Sequence, residues 1–389
     1  MTPRPDTPPT GNAPATLDDA PTASSRSWAG VATESRWRWT YAIGFVLVIT
    51  GGFVAALINP GLLERPRVPL IDGRWAEAYQ AAFDATSPLL APARLSWGVI
   101  DAGVFGQGRP GVLVGSDGWL FSREEYATVA DAEAAIGAWV ARIAAVRDAL
   151  ADHGADLVVA IVPTKASIAE PYTPAPLPAA ARGRFETLRA GLEQADVIVS
   201  DLRPALRSAG AGAPAFLRTD THWTPAGAAA AAAAIAATVR AQAPYEGLGD
   251  TPFATENDEL REHWGDLTVF LDLGPLLPHL GPPPDLVAVP RTRSLAAPSD
   301  DLFAAVEVPV TLVGTSYSAD PTWNTVGALR EALGSDVIDA AIAGLGAWEP
   351  MHRYLTGEAL QGSPPEVVVW EIPERYVTLE GHVPEEAAW

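Results

Sequence analysis

The sequence predicts an α/β fold, a three-layer sandwich around a mainly parallel sheet, preceded by one transmembrane helix. Three observations lead there. From about residue 96 onward, short β-branched runs alternate with helical stretches. Several of those runs are almost continuously apolar, as strands covered on both faces are. Ahead of them stands "WTYAIGFVLVITGGFVAALI", Trp39 to Ile58, twenty residues without a charge. At the helical rise that run spans roughly 30 Å, the thickness of a bilayer's hydrocarbon core.

Residues 1–37 are rich in Pro, Thr, Ala and Ser and hold too little apolar surface to offset chain entropy, which predicts a disordered tail. Residues 38–59 form the predicted span. Trp37, Trp39 and Tyr41 fall where an interfacial aromatic belt belongs, and Asn59-Pro60-Gly61 supplies a helix stop. A cleaved signal peptide is the alternative, but its apolar core usually runs to about 7–15 residues. Arg36 and Arg38 precede the span while Arg65 and Arg67 follow it, a slight positive-inside bias. The expected arrangement is a single-pass anchor in the cell membrane with the C-terminal part extracytoplasmic.

Residues 60–95 read as a connector with some helix around 75–82, and residues 96–389 as the main domain. Strands are expected at 156–163, 196–202, 308–314, 336–342 and 365–373, and helices at 131–153, 179–195, 225–241 and 325–333. The Pro/Gly-rich stretch 243–300 reads as an irregular excursion. The net charge of −21 argues against a nucleic-acid backbone as partner. The absence of cysteine excludes thiol catalysis, disulfides and cysteine-ligated zinc.

Two places can carry chemistry. In "TDTHWTPAGA" (219–228) Asp220 and His222 stand before a helix start marked by Thr224 and Pro225. A carboxylate two residues from an imidazole can orient the ring and fix its tautomer; a capping aspartate beside a surface histidine is the plainer alternative. In "TLVGTSYSAD" (311–320) Ser316 falls at a strand's carboxyl end, facing a helix start that can receive an oxyanion, or else it is a structural cap. None of the six histidines makes H-x-x-x-H spacing with another, so no metal site is expected. Glu371 and Glu374 raise a glycosidase carboxylate pair, against which Glu374-Arg375 reads as an ion pair.

"TDTHWTPAGA" and "GTSYS" (314–318) together resemble the alginate O-acetyltransferase family, AlgX/AlgJ-like, whose catalytic domain is related to SGNH hydrolases. "VGSDGWLFS" (114–122), "IVPTKASIAEPY" (161–172), "GLGAWEPMHRYL" (344–355) and "VVVWEIPERY" (367–376) fit the same pattern in order, across residues 95–380. The resemblance implies an SGNH-like fold in permuted order and a triad in which Asp220 orients, His222 is base and then acid, and Ser316 carries the acyl group. It makes the Ser316 N–H an oxyanion donor and Lys165, Tyr317 and Asn324 candidates for contacting substrate. Lys165, the only lysine, reads equally as a surface residue or a partner of Glu170.

The activity implied is transfer of acetyl to an exopolysaccharide or cell-envelope glycan, without cofactor, from a donor delivered by a membrane-bound O-acyltransferase partner. A glycan O-acetyl esterase with the same triad, or a non-catalytic glycan-binding scaffold, stays open. Some members carry a further C-terminal carbohydrate-binding module, for which residue 389 leaves no room, so alginate itself is not implied as the acceptor.

Overall fold

The computed structural model describes residues 31–57, 74–86, 90–210, 212–242, 245–296 and 308–382. The chain divides into two compact units, residues 1–91 and 92–389. In the first, the described elements are the helices Val31–Leu57 and Arg74–Thr86. Residues 1–30 of the predicted tail lie outside the described residues, and residues 31–37, expected to be disordered, belong to the helix Val31–Leu57. The predicted span lies partly outside them: its side chains are described from 39 to 54, and all but Gly52 are exposed. Among the described residues no helix is long and apolar enough to cross a membrane.

The second unit is built on nine described strands: β1 (Val112–Val114), β2 (Leu120–Ser122), β3 (Asp156–Val162), β4 (Ile198–Asp201), β5 (Phe253–His263), β6 (Asp285–Ser294), β7 (Val310–Val313), β8 (Val337–Asp339) and β9 (Val367–Pro373). Five of them form one sheet in the order β4-β3-β9-β7-β8, and every neighbouring pair is parallel. All five lie within segments expected to be strands. Their apolar continuity has the anticipated cause. Leu157, Val159 and Ile161 of β3 pack with Trp139, Ile143 and Leu188 on one face, while Val158, Ala160 and Val162 pack with the helix Pro225–Arg240 on the other. That helix buries Ala228, Ala231, Ala232, Ile235 and Ala236, an i, i+3, i+4 stripe mostly of methyl groups that lets its backbone lie close to the sheet. Helix Ala132–Ala151 and helix Ala179–Gln194 cover the opposite face, which completes three layers.

One expectation is corrected. Among the described residues of the stretch 243–300, β5 and β6 are regular and pair antiparallel as a long hairpin; elsewhere β1 and β2 form a second small sheet. The register of the long hairpin shifts between Asn257 and Leu260, opposite Pro290. A proline has no N–H to donate, so a β-bulge is where a paired strand tolerates it. This hairpin delivers His263 and Asp285 to the rim of the parallel sheet.

Candidate active site

Parallel α/β sheets gather their functional groups beyond the strands' carboxyl ends, and here three strands do so. Beyond β7, Gly314 and Thr315 lead to Ser316, first residue of the short helix Ser316–Ala319. Beyond β3 comes Lys165, and beyond β9 come Glu374 and Arg375. The turn at Ser316 is braced from below by Glu371 of β9. Its carboxylate accepts from the Thr315 N–H (2.7 Å) and the Ser318 hydroxyl (3.1 Å), and burial pushes its pKa up despite those bonds. At Gly314 a Cβ would stand 2.5 Å from a Glu371 oxygen, so a larger residue would displace the carboxylate that braces the turn.

Asp220 and His222 sit on a tight loop closed by an isolated bridge between Phe216 and Trp223. It runs into the helix that Thr224 caps, its hydroxyl accepting from the Gly227 N–H. The loop and the turn meet. His222 Nε2 lies 2.7 Å from Ser316 Oγ, and His222 Nδ1 lies 2.6 Å from Asp220 Oδ1. The imidazole is also held by its neighbours: Trp323 stacks on it at 5.4 Å and Tyr317 leans against it at 4.9 Å.

Asp220 accepts four donors. Oδ1 takes the His222 N–H (3.0 Å) and ring; Oδ2 takes His263 Nε2 (2.8 Å) and the Asp266 N–H (3.1 Å). Burial opposes its charge, but the bonds from His222 and His263 outweigh that and hold the carboxyl well below the usual carboxylate range. Asp266 is driven the other way, raised by burial and by the Asp220 charge, although it accepts from the Thr221 N–H (2.8 Å) and hydroxyl. Asp220, His222 and Asp266 bring potential ligand atoms within 4.8 Å of one another. Each of those groups also takes part in the hydrogen bonds just described.

Ser316 and His222 open into a cleft of about 280 Å³ whose walls include Ser122, Glu124, Asp266, Phe270, Arg375 and Tyr376. Arg375 is buried, with its guanidinium 4.7 Å from the Tyr376 ring centre. It donates to Tyr317 Oη (2.9 Å) and lies 3.3 Å from a Glu124 oxygen. Burial works against its charge, and the tyrosine and glutamate neighbours more than compensate, leaving its pKa above the ordinary arginine value.

The remaining expected site residues are placed elsewhere. Lys165 is 1 % exposed, and its ammonium donates to the carbonyls of Leu120 (2.5 Å), Arg218 (2.9 Å) and Asp220 (2.9 Å). These partners do not include Glu170, and Lys165 is not among the walls of the Ser316 cleft; it pins the Asp220 loop to the start of β2, and burial pulls its pKa down to about 8. Tyr317 points inward and donates to the Thr221 carbonyl at 2.8 Å. Asn324 stands at φ 55°, gives its amide to Thr292 (2.8 Å) and lines a different groove. Glu371 and Glu374 are both buried and tied to backbone N–H groups, with no shared opening for a sugar ring. Glu374 does not pair with Arg375, whose acidic neighbour is Glu124. Sequence reasoning missed His263, Asp266, Arg375 and Tyr376. The last two carried a signal, since polar residues directly beyond a strand's carboxyl end invite attention.

Residues 112–374 match the family model described as SGNH hydrolase-like domain, acetyltransferase AlgX. Among curated relatives, the chain is 41 % identical over 350 residues to the probable alginate O-acetylase AlgJ of Pseudomonas putida, covering 88 % of this chain and 90 % of that one. It is 35 % identical over 362 residues to the Pseudomonas aeruginosa protein of the same name, covering 90 % and 91 %. The solved O-acetyltransferase domain of Pseudomonas putida AlgJ superimposes with a TM-score of 0.63 at 42 % identity, covering 70 % of this chain and 94 % of that domain.

Proposed function

The chain belongs to the family of SGNH hydrolase-like acetyltransferases to which AlgX and AlgJ belong, and from that footing we propose that it transfers acetyl groups through a serine acyl-enzyme onto hydroxyls of an exopolysaccharide. The names of its relatives, alginate O-acetylases, narrow the proposed acceptor to alginate or a similar polyuronate. The observation that carries the reading is the unbroken line from Ser316 Oγ through His222 to Asp220, at 2.7 and 2.6 Å, at the mouth of a cleft.

The steps follow from that line. Ser316 Oγ attacks the acetyl carbonyl of the donor while His222 Nε2 takes its proton, and Asp220 stabilises the imidazolium. The oxyanion forms beside the amino end of the short helix, where the Ser316 N–H is among the groups a helix leaves unpartnered. His222 returns the proton to the departing group, leaving acetyl on Ser316. A polymer hydroxyl then gives its proton to His222 and attacks the ester, and the proton passes back to Ser316 Oγ as the product leaves. Water is the competing acceptor, and exclusion of water from the cleft favours the sugar.

In this reading the apolar run 39–58 anchors the protein in the membrane, with the catalytic unit on the extracytoplasmic side. A membrane-bound O-acyltransferase presents the acetyl donor there. The test compares wild type and Ser316→Ala with an acetyl ester donor and a polyuronate acceptor, following polymer-bound acetyl and labelling by a serine-directed phosphonate. Wild type should acetylate polymer and take the label, and Ser316→Ala should do neither. Undiminished labelling in the variant would remove Ser316 as nucleophile.

A further inference from the structure

Asp220 serves two histidines, and only one belongs to the triad. His263 ends β5, and its Nε2 lies 2.8 Å from Asp220 Oδ2, the oxygen that His222 does not use. Its ring meets the Trp323 indole edge-on at 5.5 Å, while the same indole stacks on His222. Three carboxylates face it from three elements: Asp220 on the loop, Asp285 directly across the hairpin, and Asp320 beyond the short helix of Ser316. The other charged or titratable groups around these carboxylates are His222, Asp266, the buried Lys165, whose ammonium sits on the Asp220 carbonyl at 2.9 Å, and Arg218, which pairs with Asp285 at 3.4 Å. Opposite charge at such range favours the imidazolium, and the raised pKa of His263 has the same direction, set first by its hydrogen bond to Asp220.

We propose that His263 is a positioning residue, which holds a proton against Asp220 and so keeps His222 neutral, the form able to accept the Ser316 proton. The inference rests on the acyl-enzyme reading above. With both rings on the two oxygens of Asp220, a cationic His263 repels a second positive charge on His222 in the resting enzyme. The acid limb of the rate profile is thereby displaced to lower pH, and the base remains usable in mildly acidic surroundings.

The test is the pH dependence of kcat/KM for a small acetyl ester, measured on the full chain. His263→Gln keeps a donor for Asp220 Oδ2 and removes the charge; its acid limb should move up by about one pH unit. On the steep part of that limb its rate should fall roughly tenfold against wild type. His263→Lys restores a cation, and its limb should return to within a few tenths of a unit of wild type. A purely structural role would lower the rate in both variants and leave the limb in place, which would overturn the inference. If either variant fails to fold, ¹⁵N resonances of the ring nitrogens decide the matter in wild type: His263 should stay doubly protonated across the acid limb, and a neutral ring there overturns the inference. The same titration is readable in Ser316→Ala. Failure of the serine reading would show as retained labelling of that variant, and failure of this inference as a neutral His263.

Discussion

At the scale of single residues, Asp220 concentrates the most interactions into the fewest atoms. Its two oxygens receive two backbone N–H groups and two imidazoles, more than a cap or an ion pair needs. Asparagine has the same shape but only one acceptor oxygen, so at least one donor is left facing an NH₂ group and the His222 tautomer is no longer fixed. Asp220→Asn should therefore lower kcat by about 10³–10⁴-fold with KM changed much less, as expected when a ring is held in the wrong tautomer. The same substitution carries a stability signature. A carboxylate whose folded-state pKa is depressed stabilises the fold above its unfolded pKa, here near the ordinary 3.8, and loses that contribution as pH falls below it. Wild type should melt above Asp220→Asn at pH 7, and the gap should begin to narrow as pH falls below about 5 and go on narrowing toward the depressed folded value. A gap independent of pH would show that the ionised form gains nothing from folding.

At the scale of elements, the site depends on how closely the end of β5 approaches the Asp220 loop. Gly265 marks that approach: a Cβ there would stand 2.2 Å from the Thr219 carbonyl and 2.4 Å from the Asp220 nitrogen. Its φ of −67° suits any residue, so the requirement for glycine is space alone. Gly265→Ala must push the loop off the hairpin. We expect a loss of about 1–3 kcal/mol in urea unfolding and a fall in activity of about 10²-fold, because displacements near 1 Å have that effect on catalysis. Gly183→Ala, on a helix face with nothing within 4 Å, is the control, and equal activity of the two would refute the steric argument. The same contact explains what the sequence made legible. The five parallel strands announce themselves by apolar continuity, and Asp220, His222 and Ser316 by local strand-turn-helix chemistry. The β5–β6 hairpin does not, because "FATENDELREH" is charged and largely exposed, without the apolar alternation that marks a half-buried strand. His263 reaches Asp220 from 43 residues away on that hairpin, so no local pattern could place it. Lys165, Tyr317 and Asn324 sit in the expected motifs, yet which way a side chain turns is set by tertiary packing.

At the scale of the whole molecule, the candidate site and the proposed anchor fall in separate units. Residues 92–389 form one compact unit that contains the described cores and every group of the candidate site. Nothing in the proposed chemistry calls on the apolar run 39–58. Its proposed role is to restrict the catalytic unit to the membrane surface where acetyl donor emerges. Tethering raises the effective concentration of a partner to roughly the millimolar range without any new contact. A chain comprising residues 92–389 should thus stay in the soluble fraction and hydrolyse a small acetyl ester within about twofold of the full chain's rate, since binding of a free small molecule gains nothing from the tether. The full chain should sediment with membranes and require detergent. In cells the shortened chain should lose most polymer acetylation while keeping phosphonate labelling at Ser316. A full chain that partitions into the soluble fraction without detergent would eliminate the anchor, and a shortened chain that acetylates polymer normally would show that proximity to the membrane is not what limits transfer.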